Sequence, residues 1–144
     1  MWRALTVAVA IAFAGCANIQ IALTPQEIAD RKMEPVPGKA VIYVVQNLSG
    51  EYSAGLRFDD GTQITTWPGT YYRWVTTPGT HTIRSSEGNL SARITLQVEA
   101  GKVYSVQHSV TGIRGSTTDA SLSRISDRLG QEIMASARLC CPAP

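Results

Sequence analysis

The chain has 144 residues, a formal net charge of +2, only 17% charged residues and three cysteines. That length fits one domain with a modest hydrophobic core. Thirteen basic residues against eleven acidic ones give no concentrated basic charge, which argues against nucleic acid as a partner, and the low charge with plentiful Ser, Thr and Gly favours a turn-rich β body.

Arg3 precedes an apolar run, Ala4 to Ala14, in which only Thr6 is polar. A membrane-spanning helix needs about 20 apolar residues, so this run is too short to span. A positive start, a short apolar middle and small residues at the end make residues 1–15 a secretory signal. Ala14-Gly15-Cys16 resembles a bacterial lipobox, with Phe13 where Leu, Val or Ile is usual. That resemblance implies diacylglycerol on the Cys16 thiol, cleavage before Cys16, and acylation of the freed amine, with palmitate among the chains. Two or more acyl chains anchor a protein stably, at about 0.8 kcal/mol per buried CH₂. Ala17 is not the Asp that retains such proteins in an inner membrane, so the resemblance implies the periplasmic face of a Gram-negative outer membrane. The same residues allow a second reading. Ala12-Phe13-Ala14 is an A-x-A site, and cleavage after Ala14 releases a soluble secreted protein with Cys16 as a free thiol.

Residues 16–38 read as a lipidated tether that either spaces the body from the membrane or packs on it. Within it Thr24-Pro25-Gln26-Glu27 is a helix start: Thr24 caps, Pro25 suits the first turn, and Glu27 completes a capping box. The helix runs to about Met33, and Glu34-Pro35-Val36-Pro37-Gly38 ends it. The body, 39–144, opens on Ala40 to Val45, a continuous β-branched run suited to a strand buried on both faces. Strands follow at Ser53 to Phe58, Thr62 to Trp67, Thr70 to Thr76 and Thr80 to Ser85, separated by Asp59-Asp60-Gly61, Pro68-Gly69 and Pro78-Gly79 turns. Leu90 to Val98 alternates cleanly, and after Ala100-Gly101 the segment Lys102 to Val110 is its expected hairpin partner. Thr111 to Asp119 reads as a Gly/Ser/Thr-rich loop, Ala120 to Ile125 as a last strand, and Asp127 to Leu139 as a short helix. The expected architecture is therefore mainly β: a small antiparallel β-sandwich of about seven strands with a short helix at each end.

Several motifs recur in a recognisable order. Pro35-x-Pro37-Gly38-Lys39-Ala40 precedes the Ile-Tyr-Val strand. Asp60-Gly61, Pro78-Gly79-x-His81-x-Ile83 and Glu99-Ala100-Gly101-Lys102-x-Tyr104 follow it. Over about residues 35–139 this resembles a family of uncharacterised bacterial lipoproteins, a domain of unknown function with a small transthyretin-like or PEGA-like sandwich. Val45-Gln46 stands where that family often has an Arg. The resemblance implies an envelope lipoprotein and carries over no catalytic residue.

The remaining chemistry is sparse. His81 and His108 lie far apart without zinc spacing, and no G-x-S-x-G elbow accompanies them, so neither a metal nor a cofactor is expected. His81 reads as a corner residue bonded to nearby backbone, and His108 as a packed or rim histidine. Gly112 to Ser116 could cradle an anion but lacks a Walker pattern and a following helix. Cys140 and Cys141 are adjacent and cannot staple distant parts of the fold. Trp67, Tyr71, Tyr72 and Trp74 cluster around Pro68-Gly69. Strand alternation turns Tyr72 and Trp74 inward and Tyr71 and Arg73 outward, so Trp67, Tyr71 and Arg73 are the candidate binding surface. Arg57, Arg84 and Arg93 also point outward, and with Glu51, Asp59, Asp60 and Glu87 interspersed they form either an ordinary solvated face or a face for an acidic partner. The expected function is a lipid-anchored, non-enzymatic binding or accessory module of the envelope with a protein partner. The alternative is a secreted periplasmic small-ligand carrier or hydrolase using His81 or His108.

Overall fold

A computed structural model describes residues 21–46, 48, 52–85, 92–113 and 116–141. The signal 1–15 and Cys16 lie outside these residues, as do Arg114 and Gly115. The chain forms α1 (Pro25–Asp30), β1 (Ala40–Val45), β2 (Ala54–Phe58), β3 (Gln63–Thr66), β4 (Thr70–Thr76), β5 (Gly79–Ser85), β6 (Arg93–Val98), β7 (Lys102–Ile113), β8 (Ser116–Ile125), α2 (Asp127–Met134) and β9 (Arg138–Leu139). The fold is mainly β, with two sheets facing each other: β8-β7-β1-β4-β9 and β3-β2-β5-β6.

Side-chain alternation along β1 feeds two of the three hydrophobic clusters among the described residues. Ile42 and Val44 of β1 face Leu56, Phe58 and Ile83 of the second sheet. Val41, Tyr43 and Val45 point the other way, into a second core closed by Met33, Met134 and Ala137. All six β1 residues are buried, because the helical segments form a third layer over the five-stranded sheet. The uninterrupted apolar run of β1 reflects that double cover.

The hairpin at Asp59-Asp60-Gly61 forms as expected, with β2 and β3 antiparallel and Gly61 at φ 90°, a conformation glycine adopts without steric cost. Three expectations are corrected. The Ala100-Gly101 turn does not make a hairpin, since β6 pairs with β5 while β7 lies parallel to β1. The Gly101 amide donates to the Lys39 carbonyl at 2.7 Å, which sets β7 beside the start of β1. The chain thus changes sheet at this turn, and with β9 parallel to β4 the five-stranded sheet is mixed. The segment Thr111 to Asp119 is not a loop. Most of it belongs to β7 and β8, which pair through to Ile113 and Ser116 with one irregularity between Thr111 and Gly112. Thr111 and Asp119 are exposed, as suits a strand pair whose outer face meets water. The helix after Asp127 ends at Met134, and Arg138–Leu139 returns as a two-residue strand, bringing the strands among the described residues to nine.

The helices start where their caps require. Thr24 accepts from the Glu27 amide and Glu27 bonds back to the Thr24 amide, a complete capping box. Ser126 caps α2 by accepting from the Leu129 amide. Gly130 permits the close approach of α2 to β7: a Cβ there would overlap Ser105 Oγ and lie 2.8 Å from Ser105 Cβ. Gly130→Ala is therefore expected to lower stability by about 2 kcal/mol through overpacking, measured by urea denaturation, and Ser105→Gly in the same chain should restore part of the loss. An unchanged denaturation midpoint would contradict this contact.

Candidate functional site

The polar groups beneath α1 form the most buried charged cluster of the described residues. Glu27 is 2% exposed and takes hydrogen bonds from Arg138 Nε (2.7 Å), the Leu139 amide (3.0 Å) and the Thr24 amide (2.8 Å). Arg138 also donates to the carbonyls of Ile21 and Ala22. The Arg138 hydrogen bonds, joined by the backbone amides of Thr24 and Leu139, hold the Glu27 carboxyl at about 2 despite its burial. One turn on, Asp30 accepts from the Tyr71 hydroxyl at 3.0 Å and lies 3.4 Å from Arg73 Nε. Burial, followed by the Asp30 hydrogen bond, pushes the Tyr71 phenol up. Residues 24–33 of the expected tether thus pack on the body.

Those contacts separate the expected binding trio. Trp67 sits in the β3–β4 turn, more than half exposed. Arg73 is partly exposed beside Asp30. Tyr71, expected on the surface, is fully buried. Alternation gave its side of the sheet correctly, but α1 and the β9 segment cover that side. The outward-facing Tyr71 is therefore a core residue, and the three side chains make no common surface. Sequence reading found Glu27 as a cap, while its Arg138 partner lies 111 residues away and left no local signal.

His81 occupies a corner of the sandwich. Its Nε2 lies 2.7 Å from the Thr77 carbonyl and 3.3 Å from Thr76 Oγ1, and its Nδ1 lies 3.1 Å from Asp59 Oδ2. The ring stacks edge-on against Trp74, whose indole donates to Asp60 Oδ2 at 2.8 Å. Burial opposes ionisation of Asp60, but the Thr62 and Trp74 hydrogen bonds outweigh it and lower its pKa. The order Thr76–His81–Asp59 has the outline of a nucleophile, base and acid. The shorter contact, however, commits the Nε2 proton to the Thr77 carbonyl, so the nitrogen cannot receive the Thr76 proton.

No protein family, curated protein or solved structure matches the chain. The resemblance to small-sandwich lipoproteins rests on the motifs in the sequence. Among the described residues, no group of three or more His, Cys, Asp or Glu is placed to hold a metal ion. No helix among them is long and apolar enough to cross a membrane. Cys140 and Cys141 form a vicinal disulfide beside β9, with Cys141 Sγ 3.6 Å from the Thr65 carbonyl oxygen of β3.

His108 is fully buried between the sheets. Its Nδ1 lies 2.9 Å from Thr66 Oγ1, and its Nε2 has no partner among the described residues. Burial lowers its pKa from 6.5 to about 4. Between these values the unfolded chain binds the extra proton and the native state does not, so stability falls as pH drops through that window. This group alone is expected to cost on the order of 3 kcal/mol by pH 4. Glu27 acts in a lower window, its contribution present above the ordinary glutamate value of 4.5 and lost as pH falls through about 2. Denaturation of His108→Leu against the parent chain should therefore show the slope between pH 6.5 and 4 removed and the loss at lower pH kept. Equal slopes in both chains would refute this role for His108.

Proposed function

We propose that the chain is a lipid-anchored lipoprotein of the Gram-negative outer membrane, facing the periplasm and acting as a non-enzymatic binding or accessory module. The observation that carries this reading is the Arg3, Ala4–Ala14, Ala14-Gly15-Cys16 series, a short signal leading into a cysteine set for acylation. The fold supports it in one respect. Arg138 donates to the carbonyls of Ile21 and Ala22, which ties the exposed backbone there to the body, and burial begins at Glu27. An anchor on Cys16 would hold the helical layer near the membrane, at about 3.5 Å per extended residue.

The histidine geometry supports a non-enzymatic reading over a hydrolase. His81 commits one nitrogen to backbone and the other to Asp59, and His108 is closed to solvent. Binding and accessory modules work through surfaces, and among the described residues most outward side chains of the four-stranded sheet are exposed.

Mass spectrometry of the mature N-terminus is the test. An acylated peptide beginning at Cys16 is expected, with membrane association lost in Cys16→Ser. An unmodified peptide beginning at Gly15 would favour plain secretion and overturn the anchor.

A further inference from the structure

The outward positions of β2, β3, β5 and β6 hold only Arg, Thr, Gln and one Gly. Their charges are all arginines, and the strand register aligns them. Arg57 of β2 is the partner of Arg84 of β5, and Arg84 is the partner of Arg93 of β6. At about 4.8 Å between strands, three guanidinium groups span roughly 10 Å in one row. All three residues are exposed, and among the described residues none of them joins an ion pair. Like charges directly opposite each other on a sheet destabilise it, and a bound polyanion relieves that repulsion. A groove of about 370 Å³ opens beside the row, lined by Arg57, Arg84, Thr82, Asp59, Gly61 and the inward-facing, buried Phe58. Its carboxylate, Asp59, is already held by His81 and the Thr82 amide.

We propose that this face docks an acidic segment of a partner protein, a deepening that rests on the binding-module reading above. Arginine forks pair bidentately with carboxylates, and the flanking Thr hydroxyls and Gln amides supply further donors and acceptors. The outward positions carry no aromatic side chain on which bases could stack, and no apolar one that could enter a bilayer. The face also belongs to the sheet remote from α1 and residue Ile21.

The test uses the full mature chain carrying Cys16→Ser and a fluorescent glutamate-rich peptide, with binding read by anisotropy. Binding is expected to weaken as salt rises from about 50 to about 300 mM, to fall about tenfold in Arg84→Gln, and to vanish when Arg57, Arg84 and Arg93 are all changed to Gln. Arg128→Gln, on the exposed face of α2, should leave it unchanged, and circular dichroism checks the fold of each variant. Absent peptide binding, or equal loss in Arg128→Gln, overturns the docking face. So does Arg84-dependent binding to phosphatidylglycerol vesicles without peptide binding, which would make the partner a membrane. The anchored reading is tested separately by N-terminal mass spectrometry: an acylated Cys16 with no peptide binding refutes the docking face alone, and an unmodified N-terminus with Arg84-dependent binding refutes the anchor alone.

Discussion

Strand β1, in the middle of the five-stranded sheet, is apolar and buried on both faces, and that constraint organises the rest of the molecule. One face is covered by the four-stranded sheet. The other needs a cover that the strands cannot supply, and short helical segments from distant parts of the sequence provide it. A six-residue helix such as α1 is too short to be stable alone. It is held by burying a carboxylate, Glu27, on a guanidinium and backbone amides. A buried charge is tolerated only when its hydrogen bonds are satisfied, so the cap, the ion pair and the β9 backbone form one unit.

The local features were largely legible in the sequence. The β1 and β4 boundaries agree with the apolar and aromatic runs, and the Asp-Gly hairpin and the Thr24 capping box form where their residues require. What failed needed information from elsewhere in the chain. Alternation shows which way Tyr71 points, not whether something covers it. A Gly turn such as Ala100-Gly101 looks the same whether the next strand pairs with its predecessor or crosses to the other sheet. The polarity of Thr111 to Asp119 resembles a loop because edge strands and loops meet the same solvent. For the candidate site, the outward side of Arg57, Arg84 and Arg93 was readable. Their alignment in one row depends on the pairing of three strands, two of which are joined by a long connection.

Polar chemistry is divided between the two sides of the molecule. Near the chain ends, charges are paired and sequestered: Glu27 with Arg138, Asp30 with Tyr71 and Arg73. On the opposite sheet the arginines stand exposed and unneutralised among the described residues. The histidines belong to neither group. His81 ties the Asp59 hairpin to the end of β4, and His108 fills the space between the sheets. A chain with near-balanced total charge thereby aligns three exposed arginines on one face.

The bond between Glu27 and Arg138 also sets an order of events. The two residues are 111 positions apart, so a chain made from its N-terminus carries α1 long before its partner exists. Until β9 arrives, Val41, Tyr43 and Val45 lack their complete cover. Exposed apolar strand surface in an incomplete chain is what invites association with other molecules. Until β9 and the segments before it are in place, this face of β1 is thus the apolar surface that most needs shielding from other molecules.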